Sequence, residues 1–271
     1  MIYFILGLLG LCFGSFTNAV VWRIHEQDTK KTKDKKLSIL TGRSMCTSCK
    51  HELHVHDLIP VFSWLSLRGR CRYCKKNISW QYPAVELLTS LIFIGSYVFW
   101  PISFDSIGIF QFCLWLVFVI GFMVLAVYDL KWMILPNRVV YPMIMLGVVY
   151  VLGSSLILKS TVPLSQAFSG VLIASGLFYI LFQISRGKWI GGGDVKLGIA
   201  IGLIIGGAAQ ALLVLFIGSL LGSLVSIPIL ISGGGRKKKI PFGPFLILAT
   251  IIVYIFGNSI SDWYLNTFLL V

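Results

Sequence analysis

The chain has 271 residues, of which 57% are hydrophobic and only 12% are charged, and its mean hydropathy is +0.88. Soluble domains contain roughly 45 to 50% apolar residues, so this composition excludes an ordinary soluble domain. The first apolar run, residues 2–22, ends at Arg23 instead of at a small-residue cleavage site. We therefore expect this run to be a retained membrane span and not a removed signal peptide.

The basic residues are unevenly distributed along the chain. The net charge is +13, and thirteen of the 23 lysines and arginines lie between Arg23 and Lys76. A basic surface can indicate nucleic-acid binding, but cations concentrated beside membrane spans are typical of the segments that orient a membrane protein. We therefore expect the lipid bilayer, and no nucleic acid, to explain this charge.

The apolar runs predict an all-α polytopic membrane protein with about eight transmembrane helices. The predicted spans cover residues 2–22, 84–104, 107–128, 139–157, 165–184, 195–207, 209–231 and 243–258. The sixth span is short and rich in glycine, so we expect it to be tilted, broken or buried within the bundle. The last residues, 258–271, alternate polar and apolar side chains, which predicts a segment along the outer interface.

The distribution of lysine and arginine also predicts the orientation. If the amino terminus lies outside, the inward-facing segments contain 22 of the 23 lysines and arginines, and only Lys159 faces outward. Positive charge is retained on the cytoplasmic side of membranes. We therefore expect a multi-pass protein of the inner or plasma membrane, with Asp129 and Asp194 on its cytoplasmic face.

The loop between the first and second spans contains two CxxC pairs, separated by 21 residues. The four cysteines are Cys46, Cys49, Cys71 and Cys74. A two-residue gap lets both thiolates face one tetrahedral centre, so the pairs predict a structural Zn²⁺ site without an open position for water. Redox-active or unligated thiols, and ligation by His51, His54 or His56, are the alternatives.

These features divide the chain into three predicted parts. Residues 1–22 form the first transmembrane helix, and residues 23–83 form a small cytoplasmic loop domain that begins with a charged linker up to Lys36. Residues 84–271 form the remaining transmembrane bundle. Zinc would hold the loop domain together, because the loop is too short to bury much core.

Two aspartates stand at the ends of predicted spans. Asp129 ends the third span ahead of the Leu-Pro-Asn turn at residues 135–137, and Asp194 follows three glycines at the start of the sixth. Glycines permit positive φ and an irregular, strand-like backbone that can bind an extended peptide, which makes them candidate substrate-binding residues: Gly191, Gly192 and Gly193. Two carboxylates cleave a peptide when one activates water and the other, protonated, donates to the scissile carbonyl. The pair therefore predicts an aspartyl protease.

Each aspartate also has a simpler explanation. Asp194 is suited to cap a helix, and Asp129 beside Lys131 is suited to be an interfacial charge. A divalent cation between the two carboxylates is a further alternative, although no histidine or third carboxylate accompanies them. Ion transport is less attractive, because transporters place such carboxylates near the membrane midplane.

Further short motifs follow one another in a fixed order along the chain. They are Gly-Ser-Phe at 14–16 with Asn18 and Arg23, Ile-Pro at 59–60, Ser-Trp at 63–64, Arg-Gly-Arg-Cys at 68–71, Tyr-Pro-Ala-Val-Glu at 82–86, Asp129 with 135–137, the GxGD stretch at 191–197, and Phe-Gly-Pro-Phe at 242–245. In order and spacing they resemble the type IV prepilin peptidase family, including the late-competence prepilin peptidases of Gram-positive bacteria. The resemblance covers nearly the whole chain.

The resemblance implies a reaction and its residues. Members of the family cleave type IV prepilins or pseudopilins after a glycine on the cytoplasmic side, and by motif position the catalytic residues would be Asp129 and Asp194. Many members then N-methylate the new amino terminus with S-adenosylmethionine. The family links methylation to the amino-terminal region, which makes Glu86 a possible participant. The simpler explanation of Glu86 is a carboxylate at the entrance of the second span, satisfied by a nearby arginine or lysine.

Two positions depart from the family pattern. Asn137 stands where many relatives have an acid, and Ile24 with His25 stands where a proline is frequent. We expect neither departure to touch the aspartate pair. The main alternative to an enzyme is a non-enzymatic membrane scaffold that recruits a partner through the zinc loop, in which case the cysteines and not the aspartates would be essential.

Overall fold

The computed structural model describes residues 1–30, 37–39, 42–231 and 240–268. These residues are almost entirely helical, and none of them forms a strand. The helices are α1 (Ile2–Lys30), α2 (Phe62–Ser66), α3 (Gln81–Val98), α4 (Ser106–Trp132), α5 (Asn137–Leu158), α6 (Val162–Ser185), α7 (Gly192–Ile204), α8 (Ala208–Ile231) and α9 (Gly243–Phe268). Residues 31–36 of the predicted charged linker and the basic stretch at 236–239 lie outside the described residues.

Six of these helices are long and apolar enough to cross a membrane: α1, α4, α5, α6, α8 and α9. The predicted class, an all-α polytopic membrane protein, is therefore confirmed. The second and sixth predicted spans correspond to α3 and α7, which fall outside that set. The 13 residues of α7 rise only about 20 Å, less than the roughly 30 Å of a bilayer core. The count of eight spans stays a prediction.

Several helix ends differ from the predicted spans. The second span was expected to reach residue 104, but α3 ends at Val98, because Pro101 lacks an N–H and restricts the residue before it. The first helix continues past residue 22 to Lys30, and Ile24 on this extension is fully buried. The last helix is continuous to Phe268, so the described part of the predicted interfacial segment extends α9.

The chain forms two compact units, Met1–Val98 and Phe99–Val271. The sequence placed boundaries at residues 22 and 83, which grouped α3 with the transmembrane bundle. By contacts, α3 packs against α1 and belongs to the first unit, together with the cysteine-bearing loop. The second unit contains α4 to α9 and both aspartates.

Glycines on α1 let α1 and α3 approach closely in the first unit. A Cβ added at Gly10 would lie 2.5 Å from the Cα of Ser90, and one at Gly14 would lie 2.5 Å from the Cα of Glu86. The close approach lets Ser90 donate its hydroxyl to the carbonyl of Gly7 at 2.9 Å. Such small-residue interfaces hold helices together in membranes. Because lipid is as apolar as the helices, close packing and hydrogen bonds must drive their association instead of the hydrophobic effect.

The core of the second unit is built on α4 and α7. The rings of Phe118 and Phe122 on α4 are fully buried, as are Leu197 and Ile201 on α7. The short helix α7 packs against α5 and α6 and lies inside the bundle. Of the three possibilities expected from the sequence, tilted, broken or buried, the structure shows a buried helix. Burial within the unit, with its backbone groups paired along the helix, removes the need for α7 to span the bilayer.

We predict that Gly10→Ala destabilises the first unit by about 1 to 3 kcal/mol, because the new methyl group would collide with the backbone of Ser90. Gly95→Ala on α3 is the matched control, since no atom lies within 4 Å of the methyl group that it would add. Thermal unfolding of both variants in the same detergent measures the difference. Equal melting temperatures for the two variants would contradict the close packing.

Candidate functional site

Asp129 lies near the end of α4 and is only 5% exposed. Its Oδ2 accepts a hydrogen bond of 3.1 Å from the backbone N–H of Gly243, the first residue of α9. A Cβ at position 243 would lie 2.6 Å from that oxygen, so only glycine brings this backbone so close to the carboxylate. The helix then stops at Met133, which adopts the left-handed conformation and donates its N–H to the carbonyl of Asp129.

Asp194 is the third residue of α7, and its Oδ2 accepts the N–H of Gly191 at 3.3 Å. The glycines differ from the expectation of positive φ and strand-like backbone. Gly191 is extended, whereas Gly192 and Gly193 already belong to α7, and none of the three has positive φ. Glycine serves a different purpose at position 193, where a Cβ would lie 3.1 Å from the Cβ of Leu135.

The side chain of Leu135 connects the neighbourhoods of the two aspartates. This side chain contacts Gly193, next to Asp194, and it lies 3.6 Å from the Cβ position of Gly243, the residue that binds Asp129. The two carboxylates do not hydrogen-bond to each other, but they interact electrostatically. Burial and the charge of Asp129 raise the pKa of Asp194, which precedes the predicted sixth span and lies outside the six long helices, to about 6.

A pocket of about 330 Å³ lies beside Asp194. It is lined by two segments, residues 133–137 after α4 and residues 191–196 at the start of α7. Asp194 lines this pocket, whereas the buried Asp129 does not. The two sequence-predicted aspartates and the three candidate glycines are therefore brought into one region of the second unit, and the glycines form part of the pocket wall.

The four predicted cysteines also come together, in the loop of the first unit. Their Sγ atoms all lie within 4.8 Å of one another, and those of Cys46 and Cys74 are 3.9 Å apart. A tetrahedral zinc with Zn–S bonds of about 2.3 Å requires sulfur atoms about 3.8 Å apart. The cluster therefore has the size and the ligand chemistry to bind zinc. Among the described residues, this metal-capable group contains no histidine.

The two cysteine pairs have the same backbone conformation. The N–H of Cys46 bonds to the carbonyl of His51, and the N–H of Cys71 bonds to the carbonyl of Lys76, both at 2.9 Å. The residue after each pair, Lys50 or Lys75, has φ of 59° and returns its N–H to the first cysteine. Two matching turns that each direct a pair of thiols to one point are the arrangement expected of a four-cysteine metal site.

Glu86 lies at a strained turn in the first unit. Its carboxylate is 6% exposed and accepts the N–H of Val61 at 2.7 Å. Val61 has φ 63° and ψ −50°, and Phe62 donates its N–H to the carbonyl of Pro60, which makes a γ-turn. A β-branched residue rarely adopts this conformation. The partners of Glu86 are this amide and the hydroxyl of Ser15, instead of the arginine or lysine suggested by the sequence.

Three residues at the aspartate site were not assigned a role from the sequence. Gly243 belongs to the noted Phe-Gly-Pro-Phe stretch, but its bond to Asp129 depends on a contact between residues 114 positions apart. Lys196 donates to the side chain of Asn137 at 2.8 Å, and both residues line the pocket. The departure at Asn137, which we expected not to touch the aspartate pair, lines the same pocket as Asp194. The signal available from the sequence was the position of Asn137 two residues after Leu135, in the turn that follows Asp129.

Two family profiles match the chain. The bacterial peptidase A24 N-terminal domain matches residues 8–100, and the type IV leader peptidase family matches residues 116–227. The first match contains the four cysteines and Glu86, and the second contains both aspartates. No solved structure matches the chain.

Curated relatives match along almost their whole length. The prepilin leader peptidase/N-methyltransferase of Aeromonas salmonicida is 32% identical, with 97% of this chain and 93% of the relative covered. The protein with the same description from Bacillus subtilis is 29% identical, with 97% of both chains covered. A type 4 prepilin-like proteins leader peptide-processing enzyme from Escherichia coli is 32% identical, with 89% of both covered. The chain therefore belongs to the type IV leader peptidase family.

Proposed function

We propose that the chain is a prepilin leader peptidase that cleaves type IV prepilins or pseudopilins after a glycine, with Asp129 and Asp194 as its catalytic pair. The observation that carries the proposal is that two carboxylates from different helices interact electrostatically, and that one of them, Asp194, lines a pocket. Burial and the charge of Asp129 raise the pKa of Asp194 to about 6, so Asp194 can hold the proton that two-carboxylate hydrolysis requires of one partner. The described relatives, named as leader peptidases, support the choice of substrate.

The hydrogen bonds suggest how the two carboxylates divide the reaction. Asp194, with its pKa raised to about 6, holds a proton more readily than an exposed aspartate and serves as the acid for the scissile carbonyl oxygen. Asp129 accepts the N–H of Gly243 on one oxygen, which leaves the other oxygen to take a proton from the attacking water. The amide C–N bond then breaks as Asp129 gives its proton to the leaving amine and Asp194 takes back the proton from the hydroxyl formed on the former carbonyl oxygen.

The pocket beside Asp194 is the proposed place for the substrate backbone around the cleaved bond. The first N–H groups of a helix have no partner further up the helix, and at the start of α7, where the N–H groups of Gly191 and Asp194 are already bonded, the donors offered are those of Gly192 and Gly193. Gly191, Gly192 and Gly193 carry no side chains, which lets an extended peptide approach these donors closely. The distribution of positive charge supports a position of this pocket at the cytoplasmic face of the inner or plasma membrane.

We propose zinc as a structural ion and S-adenosylmethionine as the methyl donor of a second activity. Cys46, Cys49, Cys71 and Cys74 would hold the zinc, and four thiolate ligands leave no position for a hydrolytic water. S-adenosylmethionine would supply the methyl group for the new amino terminus, as the names of the relatives suggest. The described residues contain no strand with a glycine-rich turn of the kind that binds nucleotides, so we derive no step through this donor.

We predict that Asp129→Asn and Asp194→Asn each abolish leader removal, because neither variant retains one acid and one base. Purified enzyme is incubated with a prepilin, with and without S-adenosylmethionine, and the products are weighed by mass spectrometry. The unmodified enzyme should yield the shortened pilin, and with the donor its mass should rise by one methyl group. Normal cleavage by either variant would overturn the assignment of the two aspartates. No cleavage by the unmodified protein, together with loss of function in cysteine variants alone, would favour the scaffold alternative.

We predict that Gly243→Ala lowers kcat by roughly tenfold, since the added methyl group would turn the Asp129 carboxylate away from its position. KM for the prepilin should change little, because residue 243 does not line the pocket. Gly176→Ala on α6 is the control, since the added methyl group would meet no atom within 4 Å. Unchanged turnover in Gly243→Ala would show that the close contact with Asp129 is unimportant for cleavage.

We predict that the purified protein contains about one zinc ion per chain. Cys71→Ser should lose the ion and make the loop between α1 and α3 sensitive to protease, because the domain is closed by the metal. Cys12→Ser is the matched control, since Cys12 is exposed and lies outside the cluster. Metal analysis by mass spectrometry checks the content, and retention of zinc by Cys71→Ser would exclude the four-cysteine site.

A further inference from the structure

Lys196 connects two helices beside the aspartate pair. Its Nζ donates a hydrogen bond of 2.8 Å to the side-chain oxygen of Asn137, the first residue of α5. The same ammonium group lies 5.3 Å from the centre of the Tyr141 ring, one turn further along α5. One cation on α7 is therefore held by an amide and an aromatic face on α5.

The partners of Lys196 are neutral. Among the described residues, no carboxylate lies within salt-bridge distance of its ammonium group. Asp194 is only two residues away, but the groups that perturb its proton affinity are Asp129 and Gly191 and do not include Lys196. The contacts of this cation are the amide of Asn137 and the ring of Tyr141, both on α5, and not the carboxylate of Asp194.

The contacts of Lys196 and Leu135 bracket Asp194 along the helix. Leu135 packs on Gly193, the residue before Asp194, and Asn137 binds Lys196, two residues after it. The segment that makes both contacts follows α4, which carries Asp129. Helix α5 packs against both α4 and α7, so its first residue is well placed to set the separation between the two.

We propose that the contact between Lys196 and Asn137 is a clasp that positions Asp194 against Asp129, with Lys196 as a positioning residue. The inference rests on the proposed function, because it matters only if the two carboxylates react together. An exposed hydrogen bond of this kind adds little to the stability of the whole protein. A displacement of about 1 Å in a catalytic group, in contrast, lowers turnover by up to roughly a hundredfold.

The clasp is tested by a double-mutant cycle of Lys196→Met and Asn137→Leu in full-length enzyme. Leader cleavage of a synthetic prepilin is measured in detergent, and kcat and KM are determined separately. Each single variant should lose roughly tenfold in kcat with KM changed by less than about twofold, because the proposed contacts of the substrate backbone are with N–H groups of α7 and not with these two side chains. The double variant should be no slower than the slower single variant, since both changes break the same contact.

Asn137→Asp separates the clasp from a general effect of substitution. The carboxylate retains an oxygen acceptor for Lys196. The loss of kcat in Asn137→Asp, relative to the unmodified enzyme, should therefore be at most about half of the loss in Asn137→Leu. Lys188→Met is the matched control. Lys188 lies in the loop before α7, and its side chain does not line the pocket. Thermal unfolding in the same detergent should be alike for all variants.

Several outcomes would overturn the clasp without touching the proposed function. Wild-type kcat in both single variants, while Asp129→Asn is inactive, would show that the contact is dispensable. A raised KM with unchanged kcat would assign Lys196 to direct substrate binding, and multiplying losses in the double variant would show that the residues act separately. Cleavage by Asp129→Asn itself would instead remove the proposed function, and the clasp with it.

Discussion

The contact of Leu135 with the backbones near Gly193 and Gly243 is the constraint on which the aspartate site depends. Asp129 and Asp194 belong to different helices. The space beside each of them would be filled by a side chain if position 243 or position 193 were not glycine. Glycine at 193 lets Leu135 enter the first turn of α7, and glycine at 243 lets the start of α9 bind the Asp129 carboxylate. Side chains at positions 193 and 243 would keep the two carboxylates apart. The charge of Asp129 would then no longer raise the pKa of Asp194.

The first unit uses the same physical device for a different purpose. Glycines at 10 and 14 bring α1 against α3, so that the loop between them begins and ends on one rigid pair of helices. The cysteine cluster then closes that loop internally, and the carboxylate of Glu86 holds a strained γ-turn at Val61. Strain of this kind persists only where surrounding contacts determine the backbone, and it often marks a functional segment. The described contacts make Glu86 a structural anchor whether or not it takes part in methylation.

Composition and motif spacing were strong guides for features with local causes. Apolar runs revealed the helices because a bilayer demands about 20 apolar residues, and paired CxxC spacing indicated the cysteine cluster because the knuckle is a local turn. Helix ends were less certain. Hydropathy alone did not reveal the extension of α1 to Lys30, and it carried the second predicted span past Pro101, whereas α3 ends at Val98. The short, glycine-rich sequence of α7 predicted a tilted, broken or buried helix, and packing against α5 and α6 decided for burial.

The sequence by itself determined that this is a helical membrane protein of the type IV leader peptidase family, and it identified the two aspartates and the four cysteines. The membrane class and the cysteine pairs follow from hydropathy, charge and short spacings, which act over a few residues, whereas the family follows from the resemblance of the motifs. Only the tertiary structure decided which backbone amide binds Asp129, why position 193 requires glycine, and how Lys196 meets Asn137. Those contacts join residues 58 to 114 positions apart, as between Leu135 and Gly193 or Asp129 and Gly243. They exist only after the helices pack, because long-range contacts are set by the summed shape of neighbouring side chains and not by local preference.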